Sequence, residues 1–263
     1  METNNDAVQC RMSASSLGYF KDDYINIFTK PTKKQPLINR GTYTRTVSID
    51  NLLRKLVQTE NYSQIVSLGS GFDTRYFRLE LGVEYFEVDF SQIVESKKKK
   101  LASGEFKDLT LVSCDLREDS LISCLEQFSF DKTKPTVFLA ECVLAYMSAD
   151  TGNHLLSQLS TIPNSHLIYF DIIQLNDRFG QQMIKNLKSR GLELDTMYSD
   201  LGSTLNRFKN CGWTIQFHRF MNEMFNEIDE EERLRISRIE IFDEFEEWEL
   251  VSKHYILINA KNF

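Results

Sequence analysis

Five short apolar runs, QIVSL (64–68), EYFEV (84–88), LTLVS (109–113), TVFLA (136–140) and HLIYFDI (166–172), punctuate the middle of the sequence at intervals of about 20–30 residues. Amphipathic stretches rich in Lys and Glu separate them. Runs that are apolar throughout, rather than at every second position, are the signature of strands buried on both faces. Strands alternating with helices bury both faces only as a parallel sheet with helices on either side. The fold class expected is therefore a doubly wound α/β core. In such a sheet, ligands bind just beyond the carboxyl ends of the strands, where the strand order reverses.

The flanks read differently. Residues 11–60 read as helical pieces broken near Pro31 and Pro36, with Leu52, Leu53, Leu56 and Val57 on one helix face. Residues 1–10 are polar and are expected to fray. Residues 176–209 read as helices, 213–218 as a strand, 220–250 as acidic helix, and 255–260 as a final strand. A single domain is expected over 1–263: an N-terminal helical extension (1–60), a core (61–175), cap helices with a late strand (176–250), and a last strand (251–263). Net charge is 31 − 38 = −7, the wrong sign for a protein that binds by neutralising phosphates, so no nucleic-acid partner is expected. No run approaches about 18 apolar residues, and the start lacks a signal peptide's apolar core, so no membrane partner is expected. Five Cys without a CxxC pair, and four His without HExxH, read as reduced thiols of a cytoplasmic protein with no metal. The tetralysine run 97–100 and the acidic cluster 229–232 read as solvated helix faces.

The strongest local signal follows the first run, in Leu68-Gly69-Ser70-Gly71-Phe72-Asp73-Thr74. Gly69 and Gly71 let the backbone turn tightly and approach a ligand. A dinucleotide fingerprint would place a third glycine at position 74, where this chain has Thr. Three later runs are each followed or ended by an acid: Asp89, Asp115 and Glu141. Asp89, twenty residues beyond Gly69, suits two ribose hydroxyls. Asp115 suits an adenine amine, with Leu116 beside it, and Glu141 the cationic amino-acid end of a ligand. Together they suit a cationic nucleoside, S-adenosylmethionine.

The segments SLGYFKDDYI (16–25), INRGTYTR (38–45), QIVSLGSGFDT (64–74), YFEVDF (85–90), DLR (115–117), AECVLAYM (140–147), NDRFGQ (176–181) and HYILINA (254–260) resemble the leucine carboxyl methyltransferase family. The resemblance implies a Rossmann-like class I S-adenosylmethionine-dependent methyltransferase fold. It also implies methylation of the C-terminal leucine carboxylate of the protein phosphatase 2A catalytic subunit; a monomer is expected. By the same resemblance Arg11, standing for a family lysine, reaches the cofactor. Arg45 holds its methionine end close to the substrate carboxylate and, with Tyr146, is expected to be catalytic. Gly69, Gly71, Asp89, Asp115, Leu116 and Glu141 match cofactor contacts, and Tyr146 and Arg178 the substrate end. Cys142 reads as a buried small apolar residue with nothing basic beside it. Other readings are a related methyltransferase acting on a small molecule or a modified tRNA base, and a non-catalytic module that binds phosphatase tails.

Overall fold

A computed structural model of the chain describes residues 2–101, 106–194 and 197–262. Its strands are β1 (Gln64–Leu68), β2 (Glu84–Asp89), β3 (Leu109–Ser113), β4 (Thr136–Glu141), β5 (Ser165–Ile172), β6 (Thr214–Phe220) and β7 (Tyr255–Lys261). The helices are α1 (Glu2–Ser16), α2 (Pro36–Glu60), α3 (Arg75–Leu79), α4 (Ser91–Lys100), α5 (Leu121–Glu126), α6 (Ala149–Leu159), α7 (Arg178–Lys188), α8 (Leu201–Asn210), α9 (Met221–Asn226), α10 (Glu230–Ser237) and α11 (Phe245–Ser252).

The strands form one seven-stranded sheet in the order β3-β2-β1-β4-β5-β7-β6. The first five are mutually parallel. β7 inserts antiparallel between β5 and β6, so the last strand in sequence is interior in space. The order reverses between β1 and β4, which places the carboxyl ends of these two strands at the switch point.

Strand residues divide by parity, as the pleat requires. Val66, Phe138 and Ala140 face a core completed by Leu121 and Leu125 of α5, Leu155, Leu156 and Leu159 of α6, and Phe208 of α8. Ile65, Val137 and Leu139 face the other core, with Leu52, Leu53, Leu56 and Val57 of α2, Met221 and Met224 of α9, and Trp248 of α11. Both faces are covered, which explains why each run reads as apolar throughout.

Three expectations need correction. Residues 1–10 are not merely a frayed end, because α1 begins at Glu2 and buries Val8 against Phe28, Phe72 and Phe77. The acidic stretch 220–250 is three short helices, α9 to α11, rather than one. Long parts of the expected extension and cap, α2 and α8, lie on the sheet faces as its own covering layers. α1 does stand at the carboxyl rim, where Arg11 reaches the end of β4. Among the described residues no helix is long and apolar enough to cross a membrane.

Candidate active site

The turn after β1 needs both of its glycines. Gly69 and Gly71 sit at φ +55° and +54°, in the left-handed region that side chains disfavour. A Cβ on Gly69 would meet Val143 Cγ2 at 3.0 Å. The first glycine therefore answers to packing against the turn after β4 as well as to backbone conformation. The carboxylate of Asp89, at the end of β2, accepts from the Gly71 and Phe90 amides, each at 2.7 Å. Burial pushes that carboxyl up, and the two amides pull it back down. A carboxylate offers about four lone-pair positions, so two remain for hydroxyl donors. Leu116 is buried with Val143 and Leu144 in one core, forming an apolar wall on the next strand's loop. Asp115 is gripped by Arg117 through Nε at 2.9 Å and Nη2 at 2.7 Å, which holds its carboxyl below the ordinary range. An adenine amine would share this carboxylate with a guanidinium.

At the switch point the structure assembles charges that lie far apart in sequence. Glu141, at the end of β4, is met by Arg11 (3.2 Å), Arg45 (2.9 Å) and Arg75 (2.5 Å). Arg11 and Arg75 also hold Asp73, each at 2.5 Å. Arg75, fully buried, reaches Asp50 of α2 at 2.7 Å, and Arg78 pairs with Asp50 at 2.8 Å and Asp22 at 3.6 Å. Lys97 pairs with Glu87 and donates to the Asp73 carbonyl at 2.7 Å. Five cations thus face five carboxylates: Arg11, Arg45, Arg75, Arg78 and Lys97 against Asp22, Asp50, Asp73, Glu87 and Glu141. Burial alone would raise Glu141, yet Arg75, Arg11 and Arg45 bring it down to about 2. Asp73 is likewise held well below the usual range by Arg11 and Arg75 against burial.

Glu141 is therefore not the solitary counter-charge to a cationic ligand that its position suggested, because three guanidinium groups already face it. The guanidinium groups are the incompletely matched partners. Arg11 Nε, Arg45 Nε, Arg75 Nη2 and Arg78 Nη2 are buried without a hydrogen-bond acceptor. Arg45 Nε is close to Glu141 but not aligned for a bond. Buried donors without acceptors are costly, and a carboxylate is the chemical group that would supply acceptors here.

Beyond β4 the chain makes a tight 3-10 turn, Leu144–Tyr146, which presents Tyr146. Asp171 of β5, fully buried, organises this turn by accepting from the Ala145 amide at 3.0 Å and its neighbour Ile172 at 2.9 Å. Burial pushes the Asp171 carboxyl up to about 6, against the amides of Ile172, Ala145, Leu144 and Val143 that pull it down. Cys142 takes φ +57° at the start of the turn. It does have a basic neighbour: Arg45 Nη1 lies 3.9 Å from its sulfur. Burial still wins and pushes the thiol up to about 12, so it stays protonated for a different reason than the sequence suggested. Tyr146 is half-buried, and burial raises its phenol as well, with Cys142, Asp171, Tyr255 and Arg45 close by.

The structure brings Arg11, Arg45, Gly69, Gly71, Asp89, Glu141 and Tyr146 to one rim. Arg178, at the first position of α7, is exposed, and its side chain forms no ion pair or hydrogen bond with described residues. Sequence reading missed Asp73, Arg75 and Asp171. The adjacency of Asp73-Thr74-Arg75 to the glycine turn was a usable signal, since charged residues directly after a buried strand must find partners. Lys97 was read as solvated and is instead buried against Glu87. Lys98, Lys99 and Lys100 are the exposed part of that run.

A family model described as Leucine carboxyl methyltransferase matches residues 1–160. The chain belongs to the leucine carboxyl methyltransferase family. It is accordingly a methyltransferase, and the match covers α1, the glycine turn and the rim acids. Among its relatives, the Leucine carboxyl methyltransferase 1 homolog of Arabidopsis thaliana is 33% identical over 294 residues, covering 99% of this chain and 88% of that protein. Leucine carboxyl methyltransferase 1 of Schizosaccharomyces pombe is 34% identical over 292 residues, covering 98% and 93%. The tRNA wybutosine-synthesizing protein 4 of Rattus norvegicus is 29% identical, and the match spans 98% of this chain but 43% of that protein. A putative methyltransferase from Thermobifida fusca superposes with a TM-score of 0.65 at 12% identity, covering 85% of this chain and 82% of its own. Magnesium protoporphyrin IX methyltransferase from Synechocystis PCC 6803 gives 0.53 at 12% identity, covering 98% and 100%. The fold is that of the Rossmann-like methyltransferases.

Proposed function

We propose that this methyltransferase uses S-adenosylmethionine to convert the C-terminal leucine α-carboxylate of the protein phosphatase 2A catalytic subunit into a methyl ester, in the cytoplasm. The observation that carries this reading is the set of buried guanidinium donors without acceptors at Arg11, Arg45 and Arg75, directly beyond the glycine turn. The Arg11 and Arg75 donors fit a methionine carboxylate and the Arg45 donor the substrate carboxylate beside it, while Asp89 fits the ribose and Leu116 the base. When bound, S-adenosylmethionine supplies an electrophilic methyl group on a sulfonium.

The substrate carboxylate, with a free pKa of roughly 3.3–3.7, is ionised at neutral pH, so no residue has to remove a proton. The work left to the protein is orientation and exclusion of water. Fixing two reactants in attacking geometry contributes on the order of 7–11 kcal/mol, and a dry site strengthens attraction between opposite charges. Arg45 and Tyr146 grip one carboxylate oxygen and leave the other free to react. A second guanidinium on the attacking oxygen would withdraw the charge the reaction needs. Asp171 fixes the turn that aims Tyr146, and α1 covers the rim through Arg11.

The test is incubation with labelled S-adenosylmethionine and purified phosphatase catalytic subunit. Base-labile label that disappears when the last residue is removed supports the reading. Label transferred instead to tRNA would favour the activity suggested by the wybutosine-synthesizing relative. Cofactor binding without transfer to either would leave a tail-binding module.

A further inference from the structure

The sequence offers no metal-binding spacing, yet the fold closes one. Cys114 follows β3, Asp119 lies in the next turn, and Cys124 is on α5; their ligand atoms all lie within 4.8 Å of one another. Cys114 is buried, Cys124 partly buried and Asp119 exposed, so the group has an apolar floor and an open mouth. We propose that Cys114, Asp119 and Cys124 form a site for a thiophilic divalent cation of the zinc class, and that its occupation opposes cofactor binding.

Two thiolates and a carboxylate are a donor set that zinc accepts, with metal–sulfur distances near 2.3 Å and metal–oxygen distances of about 2.0–2.2 Å. Tetrahedral edges built from those lengths are roughly 3.5–3.8 Å, so closure requires shifts of about an ångström or less. Three protein ligands with an exposed mouth leave the fourth position to water. Coordination is not a redox step. The two thiols give their protons to the buffer as the sulfurs bind the cation.

The consequence follows from what the same residues hold. Asp119 Oδ2 accepts from the Asp115 amide at 2.8 Å, and the Asp119 and Glu118 amides donate back to the Asp115 carbonyl at 2.8 and 3.0 Å. The Cys114 amide donates to the Asp89 carbonyl at 3.0 Å. The ligands thus frame the turn that carries Asp115 and Leu116, and they abut Asp89. Drawing both sulfurs and the carboxylate onto a cation deforms the base end of the cofactor site. Linkage makes the effect mutual, so cofactor weakens the cation as much as the cation weakens cofactor. This second step rests on the cofactor placement above; the cation site itself does not.

Titration of the reduced full-length protein with cobalt(II) tests the site. A single equivalent with thiolate-to-cobalt charge-transfer absorption is expected. That absorption should be lost in Cys124→Ser and in Cys114→Ser, with weaker cobalt binding in the milder Asp119→Asn. No thiolate absorption in the wild type would overturn the site. So would absorption that persists when Cys114 and Cys124 are both changed to Ser, because it would then belong to Cys10, Cys142 or Cys211. Calorimetry with S-adenosylhomocysteine, with and without zinc, tests the coupling. Weaker binding with zinc, absent in Cys124→Ser, is expected. Equal affinity with and without zinc, in a protein showing the cobalt absorption, would overturn the coupling and leave the site standing.

Discussion

Asp171 shows how one buried carboxylate can fix the turn that carries Tyr146. Burial pushes its carboxyl up to about 6, and the ionised form is the stronger acceptor for the Ala145 and Ile172 amides that tie the turn after β4 to β5. Turnover should therefore be flat above neutrality and fall as the pH drops through about 6. In Asp171→Asn, initial rates should lose that acid limb and fall roughly 10- to 100-fold throughout, since bonds to a charged acceptor contribute about 1.5–3 kcal/mol. Cofactor affinity should stay unchanged. An acid limb that survives in the Asn variant would assign it to another group. At Arg45 the substitution to Lys keeps the charge but removes the planar fork. Turnover should fall far more than cofactor affinity, and wild-type values of both would remove Arg45 from the reacting centre. Asp89→Ala should weaken cofactor roughly 10- to 150-fold by calorimetry, because hydroxyl donors and the Gly71 and Phe90 amides lose one shared acceptor.

Among the elements, the important connection runs from α2 through the post-β1 loop to β4. Arg75 is the residue that spans it, touching Asp50, Asp73 and Glu141 at once. Replacing Arg75 with Met keeps the length and leaves these carboxylates short of a cation in a buried setting. Breaking such an arrangement costs about 3–5 kcal/mol, which urea denaturation of Arg75→Met would show as a lower midpoint. A loss below about 1 kcal/mol would mean that the attraction only offsets the desolvation of its members. The 3-10 turn after β4 depends on a second connection, from Gly69 to Val143. An Ala at position 69 combines an unfavourable φ with a contact at 3.0 Å, so its effect belongs to the fold before it belongs to any ligand.

For the molecule as a whole, the decisive fact is that β7 lies between β5 and β6. The last strand is paired along both edges, with partners from His166 to Ile172 on one side and from Thr214 to Phe220 on the other. Removing residues 255–263 should abolish cooperative unfolding rather than trim a dispensable tail. Circular dichroism melting checks this, and a deletion variant with an intact transition would show that the sheet closes without β7.

The sequence by itself determined the strands, their parallel core and the glycine turn. Those features are written in local patterns: apolar runs that need two covered faces, a helix face built by Leu52, Leu53, Leu56 and Val57, and backbone angles that glycine alone adopts cheaply. It also singled out Arg11, Arg45, Asp89, Glu141 and Tyr146 as candidates, through motifs that resemble those of the family to which the chain belongs. Only the tertiary structure decided how charge is distributed at the rim. Whether Glu141 faces a ligand or three arginines, whether Lys97 is solvated or buried, and whether Cys114 meets Cys124 all depend on contacts between distant segments. No periodicity encodes a contact between residues far apart in the chain. Burial then sets the outcome, because a charge or thiol taken out of water takes its properties from whichever partner the fold places beside it.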